Sequence, residues 1–555
     1  MSNFLKWFSV TAIVVVLSAC AGDGNDKGTD TSGSAGLDTT PPVITLNGNS
    51  TVTLFQGEAY IEEGASASDD VAISVSVVIS GSVVTATVGT YIITYSATDP
   101  SGNTSTMTRT VSVVIPVPFE TTWKTDNAGF SADNQIKLTT SGPGYNYSVD
   151  WGDLQVDNDV KGDITHTYAS AGTYTVTITG DFPRIYFPGS GSDNTKLLTV
   201  EQWGNNSWSS MNSAFSGCAN MVVNAMDVPD LSGVTDMNFM FDGASAFNQP
   251  VDNWDVSNVI NMTGMFRNAS SFNQNLSSWD VSGVTKMDSM FEGATAFNQD
   301  LSTWTTSSLS QMDAMFKFAS SFNQNIGSWD VLEVTSMVSV FEGASSFNQD
   351  ISGWDVSSVE FMDAMFSGAS TYNPLLNGTW DWDVSMVTSM VSMFENASSF
   401  NQDISTWNVS NVESMQSMFS GASAFNQNLS TWTPFSVRYM QFMFLNATAF
   451  NQNIGGDSFR LVENLNNMFD GATAFDQNIS AWDISSVTSM DNMFANVTLS
   501  TVNYDALLTA WSMLSLQSGV TFNAGNSQYS SAAEANRNTI LSTHSWTITD
   551  GGLAP

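Results

Sequence analysis

Basic side chains are scarce, with 14 Lys and Arg set against 53 Asp and Glu for a formal net charge of -39 over 555 residues. Nucleic acids and anionic lipid headgroups are held by Lys and Arg that neutralise fixed negative charge, so this balance argues against both as partners. Cysteine is rarer still: Cys20 and Cys218 are the only two, and His166 and His544 the only histidines. A Cys/His zinc site would lack ligands. Cys218 falls in the slot that Ala244, Ala269 and Ala294 fill further along, and is expected to be a small buried core residue without chemistry. The apolar run from Trp7 to Leu17 is too short for a stable membrane span. Apolar residues at 42% and aromatics at 12% are ample for packed interiors, and the length calls for several domains.

What is present begins with a targeting signal. Lys6 and the terminal amine lead into the apolar run, which ends in Leu17-Ser-Ala-Cys20, the layout of a secretory signal over residues 1–19. The end of that run resembles a bacterial lipobox, which implies Cys20 as the acylated first residue of the mature chain. Cys218 then has no partner for an intramolecular disulfide. Ala21 rather than Asp after the cysteine resembles the sorting pattern for an outer membrane, so the expected location is exported, lipid-anchored and at the cell surface. Residues 20–40, rich in Gly, Ser, Thr and Asp, read as a flexible linker.

Two β segments follow. Residues 41–117 alternate β-branched runs with turn signals, as in Thr90-Tyr-Ile-Ile-Thr-Tyr-Ser and Asp99-Pro-Ser-Gly, and read as an antiparallel sandwich. Its closing stretch resembles bacterial surface immunoglobulin-like modules, which imply a spacer. Residues 118–182 carry Val149-Asp-Trp-Gly-Asp153 and His166-Thr-Tyr, similar to polycystic-kidney-disease-type (PKD-like) sandwiches, with His166 in a hydrogen-bonding structural role. Residues 183–233 read as an N-terminal cap with a degenerate repeat.

From 234 to 498 a 25-residue unit recurs, with Phe-Asn-Gln beginning at Phe247, Phe272, Phe297, Phe322, Phe347, Phe400, Phe425 and Phe450. It degenerates at Tyr372 and Phe475 and slips once, by three residues within Pro374-Leu-Leu-Asn-Gly-Thr-Trp, where an outward loop is expected. Such self-similarity means stacked units, none of which can bury its apolar face alone. Met237, Met240, Phe241, Ala244 and Phe247 fall on one helical stripe, which predicts a short helix in each unit, begun by Ser257, Ser282, Ser357 and their equivalents as N-caps. Ser357 with Glu360, and Ser410 with Glu413, have capping-box spacing. The Phe-Asn-Gln segments are expected to pair between units as a parallel sheet, with stacked Asn amides and a second row of Trp at the turn. Residues 499–555 leave the period and read as a C-terminal cap.

The unit Met-Phe-x-Gly-Ala-x-x-Phe-Asn-Gln-x-Leu/Ile-Ser-x-Trp-Asp-Val-Ser-x-Val-Thr-x-Met resembles those of BspA-like leucine-rich-repeat surface proteins. That resemblance covers roughly residues 181–555 and, with the two β segments before it, gives the expected fold: a multidomain chain of β-sandwich modules followed by an α/β leucine-rich-repeat-like solenoid with a parallel sheet. It also implies adhesion toward extracellular or host-surface proteins or glycans, and it brings no catalytic residues. The position between Gln and Leu/Ile is expected to point outward, giving Asn275, Asp300, Asn325, Asp350, Asp403, Asn428, Asn453 and Asn478 as the candidate binding face. A merely solvated face is the alternative at each position. No nucleophile elbow, phosphate loop or metal triad occurs, so an enzyme is not expected, although acid pairs keep a carbohydrate-active protein as a lesser alternative. A structural envelope or matrix component is the runner-up. No cofactor is called for; calcium suits an acid-rich chain, but no EF-hand loop is present.

Overall fold

The computed structural model describes residues 38–71, 74–189, 191–375, 380–455 and 459–555. The signal segment and Cys20 lie outside the described residues, as do most of the linker and residues 376–379 of the segment that holds the three-residue insertion. The chain divides into two compact units at Ile115/Pro116.

In the first unit, β1 (Val43–Leu46) pairs antiparallel with β3 (Ala65–Ser68). β2 (Thr51–Phe55), β4 (Val77–Ser80), β5 (Gly89–Thr98) and β6 (Thr104–Val114) form a sheet in the order β2-β6-β5-β4, with β2 parallel to β6. Alternation in β5 decides what faces the core. Ile93, Tyr95 and Ala97 point inward with Val111 of β6 and Ile44 and Ala67 of the facing pair, while Ile92 is exposed. The unit is an immunoglobulin-like sandwich. Its Arg109 is buried and is held by Glu62 at 2.8 Å, whose carboxylate also accepts from the hydroxyls of Tyr60 and Tyr95 at 2.5 Å each.

The second unit opens with β7 (Phe119–Lys124), β8 (Gln135–Leu138), β9 (Asn146–Asp150), β10 (Val156–Val160), β11 (Ile164–Thr167), β12 (Thr173–Asp181), β13 (Leu197–Gln202) and β14 (Val222–Val223). Their main sheet runs β10-β9-β12-β7-β13-β14, so it crosses the boundary expected at residue 182, and one apolar core continues from Phe119 to Trp546. His166 stacks on Trp151 at 4.7 Å and bonds Asp153 at 2.9 Å, a packed structural role.

The repeats depart from expectation. Among the described residues the only α-helices are α1 (Thr501–Trp511) and α2 (Glu534–His544), both beyond the repeats and joined there by the parallel pair β15 (Thr521–Asn523) and β16 (Thr547–Thr549). The stripe read as helical is a chain of tight turns. The N–H groups of Met262, Gly264, Phe266 and Asn268 donate to the carbonyls of Lys286, Asp288, Met290 and Glu292 in the next coil at 2.9, 2.7, 2.9 and 2.6 Å. Those of Met265, Arg267 and Ala269 turn back three residues at 3.1 Å each. A helix would send every N–H to the carbonyl four residues back. It is prevented by two left-handed residues per coil, here Gly264 at φ 60° and Asn268 at φ 58°. Three-residue turns also bring positions i, i+3 and i+7 to one side, so the apolar spacing resembled a helix.

The parallel sheet is likewise reduced to one residue per coil. Single bridges link Asp236, Asn261, Lys286 and Gln311, then Ser336, Phe361, Ser389, Ser414, Tyr439, Asn464 and Ser489. They fall on the residue before the Met, or before Leu465 in one coil, and among the described residues the Phe-Asn-Gln side contributes only Leu429 with Ile454. The serines expected as N-caps are donors instead: Ser257 gives both its N–H and its hydroxyl to Asp255, at 3.1 and 2.6 Å.

Inside the stack the rings align. Phe241 and Phe247 lie 4.0 Å apart within a coil, and Phe247 and Phe272 5.8 Å apart between coils, nearly parallel in both cases. Each such pair adds about 0.5–1.5 kcal/mol beyond burial. The Trp row is core, as expected. The indole N–H of Trp279, Trp304, Trp329 and Trp354 donates to the carbonyl of Val251, Leu276, Leu301 and Ile326 at 2.9, 3.0, 3.1 and 3.0 Å. Cys218 is fully buried, and burial pushes its thiol far up. Trp380, beside the insertion, is buried edge-on against Trp382, Phe394 and Trp407.

Candidate binding face

The eight residues of the expected binding row recur at one register, and all but the half-buried Asp350 are exposed. Their side chains are not idle. Asn275, Asp300, Asp350, Asp403, Asn428 and Asn478 each accept, through Oδ1, the N–H of the serine two residues on, at 2.9–3.0 Å. Asn325 does the same with Gly327 at 3.0 Å. This is the Asx turn, which Asn and Asp form equally well because only one oxygen is used. Asn453 takes part through its backbone, its carbonyl accepting from Leu429 at 3.2 Å. The structure therefore brings the row into register and gives it a turn-making role.

A second row of the same kind lies at Trp-Asp-Val-Ser. Asp255, Asp280 and Asp355 each take the hydroxyl and N–H of the serine two residues on, which hold their carboxyls below the usual range. In the first row the backbone N–H of Ser302, then its hydroxyl, does the same for Asp300. Positive charge within the repeats is largely consumed between coils. Arg267 is bidentate to Asp242 at 2.9 and 2.8 Å, Lys317 meets Glu342 at 2.7 Å, and Arg438 meets Glu463 at 2.8 Å. What the rows present outward is amide and carboxylate.

Beside these rows runs the Asn ladder. Asn273, Asn298, Asn323 and Asn348 donate their backbone N–H to Oδ1 of Asn248, Asn273, Asn298 and Asn323 at 2.9 Å each. The expected amide stacking is thus a side-chain-to-backbone relay. At its end Asp476 replaces Asn, and its Oδ1 accepts from the Ser500 N–H and hydroxyl and from Asn503 Nδ2, just where α1 begins.

One site escaped the sequence reading. The column of bridges is interrupted between Gln311 and Ser336. There a cavity of about 410 Å³ opens, lined by Asp288, Ser310, Gln311, Asp313, Thr335 and Ser336 among others. Asp313 accepts the Val338 N–H at 2.8 Å and the Ser336 hydroxyl at 2.7 Å, while Asp288 accepts the Asp313 N–H at 3.0 Å. Burial, with the charge of Asp313 adding to it, outweighs that bond and raises the Asp288 carboxyl. Recurrent Asp two residues before Met, as in Asp288 and Asp313, was the available signal.

A family described as "Mycoplasma protein of unknown function, DUF285" matches residues 209–321, 297–381, 374–463 and 458–530, more than half of the chain. The chain belongs to this family. The DUF285 matches cover the repeats and run into α1 and β15. Residues 44–113 match the family described as "Bacterial surface protein, Ig-like domain", which is the first unit's sandwich. Together the DUF285 repeats and this domain fit a bacterial surface repeat protein. No curated protein matches the chain. A crystal structure of a lipoprotein from Bacteroides thetaiotaomicron is similar at 23% identity over 26% of this chain and 62% of that one, with a TM-score of 0.13. The match thus spans less than two thirds of that protein. Among the described residues no helix is long and apolar enough to cross a membrane.

Proposed function

We propose that this protein is a lipid-anchored cell-surface adhesin or binding scaffold whose repeats form a leucine-rich-repeat-like solenoid and contact extracellular proteins or glycans. Anchorage would be through Cys20 in an outer membrane, with the immunoglobulin-like unit as spacer. The observation that carries the reading is the row of Asx side chains from Asn275 to Asn478, spaced one per coil and held in place by their own turns. A regular acidic and amide surface suits a basic protein patch or polar sugar hydroxyls, because complementary charge steers and orients partners. Contact rather than catalysis fits these carboxylates, each of which is used in a local turn instead of converging on a partner.

The turn geometry supplies a clean test. Asn already occupies five of the eight positions of the row, so Asp300→Asn, Asp350→Asn and Asp403→Asn together remove charge while keeping the acceptor. Binding of the intact protein to a panel of matrix proteins, glycans and whole cells is measured for both forms. A loss of about tenfold or more supports the row as the contact face; unchanged binding to every ligand removes it. Deletion that alters envelope integrity but not cell attachment would favour a structural role.

A further inference from the structure

Three carboxylates meet at one end of the immunoglobulin-like unit, on three separate segments. Asp38 precedes β1, Asp69 follows β3, and Asp99 starts the turn between β5 and β6. One oxygen from each lies within 4.8 Å of the others. Asp99 is only 5% exposed, and Asn103 donates to both of its oxygens, through the backbone N–H at 2.9 Å and Nδ2 at 2.8 Å. Two donors on two oxygens hold it as the carboxylate. The same Nδ2 also reaches the Asp38 carbonyl at 3.0 Å, tying the segment before β1 to the turn. Asp38 Oδ1 accepts the Thr40 N–H at 3.0 Å, whereas Asp38 Oδ2 is wholly buried and takes no hydrogen bond from any described residue. A buried carboxylate oxygen without a donor is costly, and two further carboxylates beside it add repulsion rather than relief. Among the described residues no Lys or Arg forms an ion pair with Asp38 or Asp99.

We propose that this cluster binds one divalent cation, calcium in preference to magnesium. Oxygens that all lie within 4.8 Å of one another can close on calcium, whose bonds of 2.3–2.6 Å allow oxygens up to about 4.6–5.2 Å apart, whereas magnesium demands near-ideal octahedral geometry and gives up its waters reluctantly. Asp38 Oδ2 gains a partner, the mutual repulsion of the carboxylates is offset, and the segments before β1, after β3 and at the β5–β6 turn become linked through one ion. The site lies outside the acid-rich repeats and is independent of any ligand those repeats take. Affinity on the order of 10⁻⁴–10⁻³ M suits modules that work in calcium-rich surroundings.

Hydrogen exchange of the full-length, chelator-treated protein tests the assignment segment by segment. Millimolar calcium is expected to slow exchange at 38–46, 67–71 and 98–104 by about tenfold, with magnesium doing much less. Asp38→Asn should abolish that response while the core strand Gly89–Thr98 keeps its protection, which shows that the sandwich remains folded. Identical exchange of the wild-type protein with and without calcium would overturn the proposal, as would an undiminished calcium response in Asp38→Asn. Equal slowing by magnesium would overturn the preference for calcium.

Discussion

Asn298 Oδ1 accepts the backbone N–H of Asn323 at 2.9 Å, one coil further along. The same oxygen takes Gln324 Nε2 at 2.9 Å, so one side chain satisfies two donors of its neighbour. Asn298→Ala removes the acceptor that both donors share, from a half-buried position. The expected cost is about 1–3 kcal/mol in chemical denaturation, with Asn298→Asp losing less because it still accepts. Equal stability of the alanine variant would show that the relay is dispensable.

Ala364 at φ 52° and Gly368 at φ 72° are the two left-handed residues of one coil. Ala364→Gly is expected to stabilise and Gly368→Ala to destabilise, each by about 1 kcal/mol, since a Cβ is disfavoured in that region. The melting temperatures of the two variants should move in opposite directions.

Trp329→Phe keeps a buried ring but leaves the Leu301 carbonyl without its 3.1 Å indole donor. A loss of about 1–3 kcal/mol is expected in a denaturation titration, and a neutral result would assign the Trp row to packing alone.

Acid should unfold the repeats. Asp255, Asp280, Asp300 and Asp355 have folded-state carboxyls below their usual range through Ser hydroxyls and N–H groups. Asp476 is also lowered, its burial outweighed by the Ser500 and Asn503 donors. A depressed carboxyl contributes stability that is present above the unfolded value and lost as pH falls through the folded one, so melting temperature should drop between about pH 5 and pH 2. Asp288 has the opposite sign: its contribution is present below the ordinary carboxylate range and lost as pH rises through its raised value. Asp288→Asn keeps the acceptor for Asp313 and should therefore raise the melting temperature at neutral pH while leaving it unchanged in strong acid.

The 25-residue period, the inward Met, Phe, Ala and Trp positions and the Ig-like alternation were legible because burial follows side-chain chemistry at fixed spacing. Gly or Asn at Gly243, Asn268, Gly293, Asn396 and Asn446 was equally visible, yet its meaning was not. Apolar residues three and four apart fit a helix and a chain of three-residue turns alike, and only the direction of each N–H tells them apart.

That direction depends on the neighbouring coil. The sequence by itself determined that units repeat, which side of each is apolar, and that acid prevails on the outside. The tertiary structure decided that every second N–H leaves its own coil for the next and that Asx oxygens close turns rather than stand free. It also brought Asp38, Asp69 and Asp99 together across some sixty residues. Hydrogen bonds and charge clusters between distant segments exist only once the chain has folded, so no local pattern records them.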